Sequence, residues 1–164
     1  MATPDMKETL EIGLSTEARE TVTGILNRLL ADEFLLYVRA RAFHWNVTGR
    51  HFKQDHALFE EEYEALDETI DEVAERARAL GGKVQATLGQ FSQNATLTEV
   101  DSIELTSEQM IAQMRDGHEA LARQLRNDIQ VADEVGDEGT ADFLTALLEG
   151  HEKRAWMLRA HLQD

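Results

Sequence analysis

The sequence predicts an all-α fold, a four-helix bundle with one long crossover between its second and third helices. The only proline is Pro4, so no later segment is barred from helix by proline's missing amide. Four stretches repeat apolar residues at intervals of three and four, the spacing of a buried helical face. Short, long and short connections separate these stretches, which indicates a bundle with one crossover.

The first predicted helix covers residues 15–47. Ser15 suits its N-cap, and Glu17 places negative charge where the helix dipole favours it. Thr48 and Gly49 interrupt the pattern and end the helix. Its buried face is formed by Val22, Ile25, Leu26, Leu29, Leu36, Tyr37, Ala40 and Phe43.

The second predicted helix follows after a short turn, so it pairs antiparallel with the first. Gly81 and Gly82 end it, because glycine is the usual residue just past a helix C-terminus. Its apolar face comprises Phe59, Tyr63, Leu66, Ile70, Val73, Ala77 and Leu80.

Residues 83–105 show no sustained periodicity, and we expect a long crossing connection with a short helix near residues 96–100. The third helix is predicted at about 107–135 and the fourth at about 138–162, separated by Gly136. Their inward faces are Ile111, Met114, His118, Leu121, Leu125, Ile129 and Ala132, then Leu144, Leu147, Leu148, His151, Ala155, Leu158 and Leu162. This connectivity is that of ferritin-like bundles.

Composition limits the number of domains and the kinds of partner that the chain can have. The chain has 164 residues, and we expect one domain at residues 15–164 after a flexible tail at 1–14. A formal net charge of −16 repels nucleic acid and anionic lipid and attracts cations, although it would also suit a well-solvated or high-salt surface. The chain has no cysteine and no apolar segment of membrane-spanning or signal-peptide type, so we expect a cytoplasmic protein without thiolate ligands or membrane partners.

Three histidines, two of them candidate metal ligands, cluster at the junction of the first two predicted helices. His44, His51 and His56 lie there, and at about 100° per residue His56 shares a polar band of the second helix with acids such as Glu60 and Asp71. Histidine and carboxylate without cysteine suit non-haem iron, manganese or zinc. A solvated charged face that ends in a histidine is the alternative, and spacing alone leaves both interpretations open.

Distance indicates how such a site is built. Asp71 and Glu75 are one turn apart and can reach one ion together, but Asp71 lies about 22 Å along the helix from His56. Two hairpins packed antiparallel about an axis near residues 64–66 would bring the two ends together. A shared site therefore implies a dimer.

Other catalytic signatures are absent. A di-iron site inside one bundle requires Glu-x-x-His motifs. None is present, since the residues three before the six histidines are Arg41, Thr48, Lys53, Arg115, Leu148 and Leu158. The zinc protease motif and the glycine-rich nucleotide loops are also missing.

These motifs resemble the Dps family of miniferritins, named for DNA-binding proteins from starved cells. The resemblance rests on HWNVTG at residues 44–49, then Phe52, His56 and Phe59, DEVAER at 71–76, LGG at 80–82 and TAD at 140–142, in order and spacing. It covers residues from about 15 to 162.

The resemblance implies a ferroxidase centre between two subunits. His44 and His56 would come from one chain and Asp71 and Glu75 from the other, with Glu75 able to bridge two irons. In this family His44 would serve the tighter iron site and His56 the weaker one. Glu60 stands where the family more often has aspartate, so it keeps the charge on a longer arm.

The resemblance also implies a function and an assembly. The family forms a hollow homo-dodecamer that oxidises Fe(II), preferentially with hydrogen peroxide and otherwise with oxygen, and stores ferric oxide, which protects the cell from oxidative damage. Zinc or manganese could substitute for iron. Asp137 and Asp142 match pore positions, and Glu61 and Glu64 are candidates for mineral nucleation.

The remaining aromatic and histidine residues receive structural interpretations. Trp45 and Trp156 resemble family tryptophans that intercept oxidising equivalents, but ordinary burial of an aromatic ring is favoured for both. His51 is expected at the surface. The histidines expected to be structural are His118, His151 and His161.

DNA binding is the family property that the sequence supports least. Residues 1–14 contain a single cation, Lys7, against Asp5, Glu8 and Glu11. Because phosphate binding depends on basic side chains, we expect weak or no direct DNA binding. A nucleoid-associated, DNA-protective protein is the alternative function, and a purely structural bundle is a third.

Overall fold

The computed structural model describes residues 10–163, which form five α-helices and no strand. This confirms the all-α bundle with one long crossover. Residues 1–9 of the expected N-terminal tail lie outside the described residues. The helices are α1 Thr16–Asn46, α2 Phe52–Ala79, α3 Leu88–Asn94, α4 Ser107–Glu134 and α5 Glu138–His161.

The long helices pack as two hairpins. α1 lies along α2 and α4 lies along α5, while α1 also contacts α3 and α4. One apolar core runs through the bundle, and its largest members include Phe43 and Phe59, whose rings meet edge to face at 5.6 Å. None of the helices within residues 10–163 is long and apolar enough to cross a membrane.

The short crossover helix is α3 at Leu88–Asn94, so the expectation of a helix near residues 96–100 is wrong. A capping box fixes its start, in which the Thr87 hydroxyl accepts from the Gln90 amide and the Gln90 side chain accepts from the Thr87 amide. Phe91 anchors α3 by stacking on Phe34, with ring centroids 4.4 Å apart.

Asp32 of α1 explains why the chain at residues 96–100 is not helical. Its buried carboxylate accepts hydrogen bonds from the amides of Thr96 at 2.6 Å and Leu97 at 2.8 Å, and from the Thr96 hydroxyl at 2.8 Å. Arg39 donates to the Thr98 carbonyl further along the same segment. Polar side chains on the inner face of α1 therefore hold the crossover in an extended path.

The end of α2 agrees with the glycine signal. Gly81 has a φ of 80°, the left-handed conformation that glycine adopts without a steric penalty. A Cβ on Gly82 would lie 2.2 Å from the Thr23 methyl group, so only glycine lets the chain pass α1 here. This close approach fixes α2 against α1 and thereby positions the hairpin that carries the candidate ligands.

Candidate metal centre

His44 and His56 face each other across the α1–α2 turn. His44 lies in the last turn of α1 and His56 in the first turns of α2. Val47 ends α1 by donating its amide to the Phe43 carbonyl, and its side chain is buried. The tight turn therefore brings the two histidines together from opposite helix ends, as the sequence predicts.

Reciprocal hydrogen bonds fix the orientation of both rings. Nδ1 of His44 lies 2.8 Å from the carbonyl oxygen of His56, and Nδ1 of His56 lies 2.8 Å from the carbonyl oxygen of His44. The rings stack with centroids 3.7 Å apart and an interplanar angle of 23°. Because a carbonyl oxygen only accepts, each Nδ1 must carry the hydrogen. In the neutral ring the lone pair is then on Nε2, the arrangement of a metal-binding histidine held by its second nitrogen.

Glu60 lies one turn after His56 and is exposed at the surface of α2. The Tyr63 hydroxyl donates to Glu60 Oε1 at 3.2 Å, and the Tyr63 ring meets His44 edge to face at 5.2 Å. Burial, together with the Glu60 carboxylate, raises the pKa of Tyr63, so its hydroxyl stays protonated and continues to donate. Tyr63 thus connects the acid to the histidine pair.

Arg41 lies over the Tyr63 ring, with its guanidinium carbon 3.7 Å from the ring centroid. Its Nε donates to the Tyr37 hydroxyl at 3.0 Å, and this hydrogen bond is the main reason why the pKa of Arg41 is raised. From sequence, Tyr63 was expected only on the apolar face of the second helix, and Arg41 had no expected role in the site. The available signal was a tyrosine three residues after Glu60 on the same helix.

Asp71 and Glu75 are exposed, one turn apart, near the far end of α2. α2 is continuous over Phe52–Ala79, so Asp71 stays about 22 Å and Glu75 about 28 Å from His56, and the structure does not bring the two groups together within one chain. No group of three or more potential metal-ligating side chains is arranged to hold an ion within residues 10–163. The ligand roles of these residues remain predictions.

Asp137 and Asp142 differ in their surroundings. Asp137 is buried and caps α5, with Oδ1 accepting from the Thr140 amide at 2.9 Å and from Arg76 at 3.0 Å, while Oδ2 accepts from the Thr140 hydroxyl at 2.6 Å. Asp142 is exposed, as are the nucleation candidates Glu61 and Glu64. The pore and nucleation roles of these four acids remain predictions.

The other histidines and the tryptophans are also placed. His51 is exposed at the turn, as expected, and His161 contacts the buried Asp55 at 3.1 Å. The expectation of burial is wrong for both tryptophans in the single chain, because Trp45 is 69% and Trp156 is 62% exposed. These large apolar surfaces are available for contact with another copy.

The comparisons with known proteins agree with this architecture. The Ferritin family, described as a ferritin-like domain, matches residues 23–164. The fold and the matched domain define a ferritin-like bundle protein.

Individual relatives define the family more closely. An uncharacterized low temperature-induced protein of Nostoc sp. is 44% identical over 155 residues, or 94% of this chain and 87% of that protein. The DNA protection during starvation protein of Brevibacillus brevis is 38% identical, covering 92% of this chain and all of that protein. A Dps crystal structure from Vibrio cholerae O1, described as a member of the ferritin-like diiron-carboxylate superfamily, has a TM-score of 0.89 and 34% identity over 94% of this chain and 97% of that chain. The chain belongs to the Dps family of ferritin-like proteins.

This membership supports a general role in iron storage and protection against oxidative damage. It also supports iron binding, ferroxidase-type activity and assembly with further copies of the chain.

Proposed function

We propose that this chain is a ferroxidase whose active site is completed by a second copy, and that it stores the ferric product inside a hollow dodecamer. One observation carries the proposal. The reciprocal hydrogen bonds of His44 and His56 leave the Nε2 lone pair of each ring for a ligand, while Asp71 and Glu75 remain exposed about 22 Å and about 28 Å from His56 along α2.

A two-fold axis near residues 64–66 would supply the missing ligands. It would place the Asp71 and Glu75 end of each hairpin against the histidine end of its partner. Imidazole and carboxylate ligands suit iron, and zinc or manganese would compete for the same donors. Glu60, oriented by Tyr63, would add a third ligand from the histidine side.

Hydrogen peroxide is the preferred oxidant in this proposal. Two Fe(II) ions each lose one electron, the O–O bond of peroxide breaks, and two hydroxides and two Fe(III) ions form. A bridging Glu75 would hold the two irons close together, so that both electrons pass to one peroxide without releasing a hydroxyl radical. Oxygen would serve as the slower acceptor.

Complementation between two inactive variants tests the shared site. His44→Ala and Asp71→Ala should each lose most peroxide-dependent Fe(II) oxidation, measured by the rise of ferric absorbance. When the two variants are co-assembled at random, half of the dimers are mixed and each has one intact site, so about a quarter of the activity should return.

The exposed histidine of the α1–α2 turn provides the control for this experiment. His51→Ala, in the exposed turn histidine, should keep wild-type activity. Failure of verified mixed oligomers to recover activity would refute the shared site, and an inactive wild-type protein would refute the ferroxidase function itself.

We also propose that iron enters past Asp142 and Asp137 and that the mineral nucleates on Glu61 and Glu64. Asp142 is the stronger pore candidate, because it is exposed while Asp137 is occupied as a helix cap. A cytoplasmic location fits the absence of cysteine from the sequence.

A DNA-protective function is the second candidate, favoured by the name of the Brevibacillus brevis relative. The net charge of −16 on each chain opposes it, since non-specific DNA binding depends on neutralising phosphates with basic side chains. Purified protein should leave duplex DNA unshifted in a gel at about 0.15 M salt without divalent metal. A mobility shift under these conditions would favour DNA binding.

A further inference from the structure

A line of hydrogen bonds crosses the centre of the bundle and takes one side chain from each long helix. The four residues are Glu33 of α1, Glu62 of α2, His118 of α4 and His151 of α5, and all four are buried. We call them the core cluster. Its position differs from that of the candidate metal centre, and none of its members has a role in the proposed function.

Three short contacts link the core cluster end to end. His118 Nε2 lies 2.7 Å from Glu62 Oε2, and His118 Nδ1 lies 2.8 Å from His151 Nδ1. His151 Nε2 in turn lies 2.7 Å from Glu33 Oε1. All four ring nitrogens are therefore engaged within the cluster, in contrast to the free Nε2 atoms of the candidate metal centre.

The number of hydrogens in the cluster follows from these contacts. Each of the three contacts needs one hydrogen between its two polar atoms. Two neutral imidazoles carry one N–H each and ionised carboxylates carry none, so the four groups supply only two. The cluster is one hydrogen short.

We propose that the His118–His151 pair is a buried proton-binding site, an imidazole–imidazolium pair that holds the third hydrogen between its two Nδ1 atoms. The 2.8 Å separation of these atoms suits an N–H···N hydrogen bond. Two nitrogens that bind one tetrahedral metal at about 2.0–2.1 Å would lie about 3.3 Å apart. The observed distance between the two Nδ1 atoms therefore suits a shared hydrogen and is too short for two ligands of one metal ion.

In this proposal the positive charge belongs to His151, because the ring of His118 stays neutral. Burial, the largest influence, lowers the pKa of His118, so this ring stays neutral and accepts at Nδ1. Glu62 contacts His118 through Oε2 and accepts from the Arg154 guanidinium through Oε1, so both of its oxygens face hydrogen-bond donors. His118 then donates Nε2–H to an ionised Glu62, and His151 donates from both nitrogens.

The positive and negative charges around the His118–His151 pair are then equal in number. Glu33 from α1 and Glu62 from α2 supply two negative charges, and α4 contributes only the neutral His118 itself. From α5, Arg154 donates to Glu62 Oε1 at 3.2 Å, and His151 supplies the second positive charge beside Glu33. A balanced set of charges avoids the large penalty of an unpaired charge in a protein core.

A surface groove gives solvent a route to the pair. The groove has a volume of ≈ 180 Å³ and lies between α2 and α5, where its lining includes Glu68, Glu72, Arg154 and His151. His151 itself is 4% exposed. Protons can therefore exchange with solvent from the His151 side, while His118 is fully enclosed.

Nitrogen NMR on the assembled protein tests the proposal directly. With ¹⁵N-labelled histidine, one ring in each chain should show both nitrogens protonated at about pH 7, with a scalar coupling across the Nδ1–H···Nδ1 bond. A His151→Gln variant should remove this imidazolium signal and so assign it. Two neutral rings accompanied by an infrared carbonyl band from protonated Glu33, or a metal ion found at the contact, would overturn the proposal.

Removal of one carboxylate provides a second test. Glu33→Gln removes the counter-ion of His151, so the imidazolium signal should disappear and the melting temperature should fall. The matched control, Glu20→Gln, changes an exposed acid on the same helix and should alter neither quantity. An unchanged imidazolium signal in Glu33→Gln would contradict the proposal, and the wild-type spectrum decides the matter if Glu33→Gln does not fold.

Discussion

Two histidine pairs in this chain differ in what their ring nitrogens contact. Each Nδ1 of His44 and His56 donates to a backbone carbonyl, which leaves the Nε2 lone pair for a ligand. Both nitrogens of His118 and His151 are instead hydrogen-bonded inside the core. A histidine can bind metal only where a lone pair remains, so the first pair suits ligation and the second suits a structural role.

The lowered pKa values in the core predict that the subunit loses stability in acid. A group whose pKa is lower in the folded chain binds protons more readily when unfolded, so falling pH favours unfolding. His118 acts below its ordinary value of 6.5, and Glu62 acts below its ordinary value of 4.5. The melting temperature should therefore fall in two stages, one as pH is lowered below about 6.5 and a second below about 4.5.

A substitution of Glu62 distinguishes the fall in melting temperature caused by Glu62 from the fall caused by His118. Glu62→Gln removes the carboxylate responsible for the lower stage, so its melting temperature should fall less than that of the wild type as pH drops below about 4.5, although it starts from a lower value. Calorimetry at each pH measures both curves. Parallel curves for the two proteins would rule out Glu62 as a source of the acid sensitivity.

At the scale of elements, the crossover depends on one buried side chain. Asp32→Ala would leave the amides of Thr96 and Leu97 without their acceptor and would add a cavity beside α1. We expect a loss of about 2–4 kcal/mol in the free energy of unfolding, measured by denaturant titration. Asp101→Ala, an exposed acid of the same crossover, should change it by less than about 0.5 kcal/mol. Equal effects would contradict the anchoring role of Asp32.

The two acids at the start of α5 should affect different properties of the protein when they are replaced. Asp137→Ala removes the N-cap of α5 and the ion pair with Arg76, so it should cost about 1–3 kcal/mol of stability. Asp142→Ala should cost little stability, because the side chain is exposed, but should slow iron uptake into the proposed shell. Wild-type uptake by Asp142→Ala would remove this residue from the proposed pore.

Periodicity predicted the four long helices because each buries a continuous face in one core. It could not predict α3, which has only seven residues and depends on a capping box and on the stacking of Phe91. It also missed the polar anchors of α1, because Asp32 and Arg39 take their partners from a segment more than fifty residues away. Long-range hydrogen bonds of this kind leave no local pattern in a sequence.

For the candidate site, the sequence predicted which residues are candidate ligands but not how their side chains are oriented. Ligand chemistry and motif spacing selected His44 and His56, and helix length alone separated them from Asp71. The ring orientations and the Tyr63 contact depend on backbone positions that only the folded hairpin supplies. The partner that would complete the ligand set is a property of two chains, so neither one sequence nor one folded chain contains it.

At the scale of the whole molecule, ferroxidase activity should depend on assembly. Metal–ligand bonds of about 2 Å cannot bridge the separation of about 22 Å between His56 and Asp71 on a rigid helix. Trp45 and Trp156 expose apolar surface that a neighbouring copy would cover. Conditions that dissociate the oligomer without unfolding the helices should therefore abolish peroxide-dependent Fe(II) oxidation, and reassembly should restore it. Size-exclusion chromatography with light scattering, coupled to an activity assay on each fraction, measures this dependence. A folded monomer fraction that oxidises Fe(II) as fast per chain as the oligomer would show that one chain suffices.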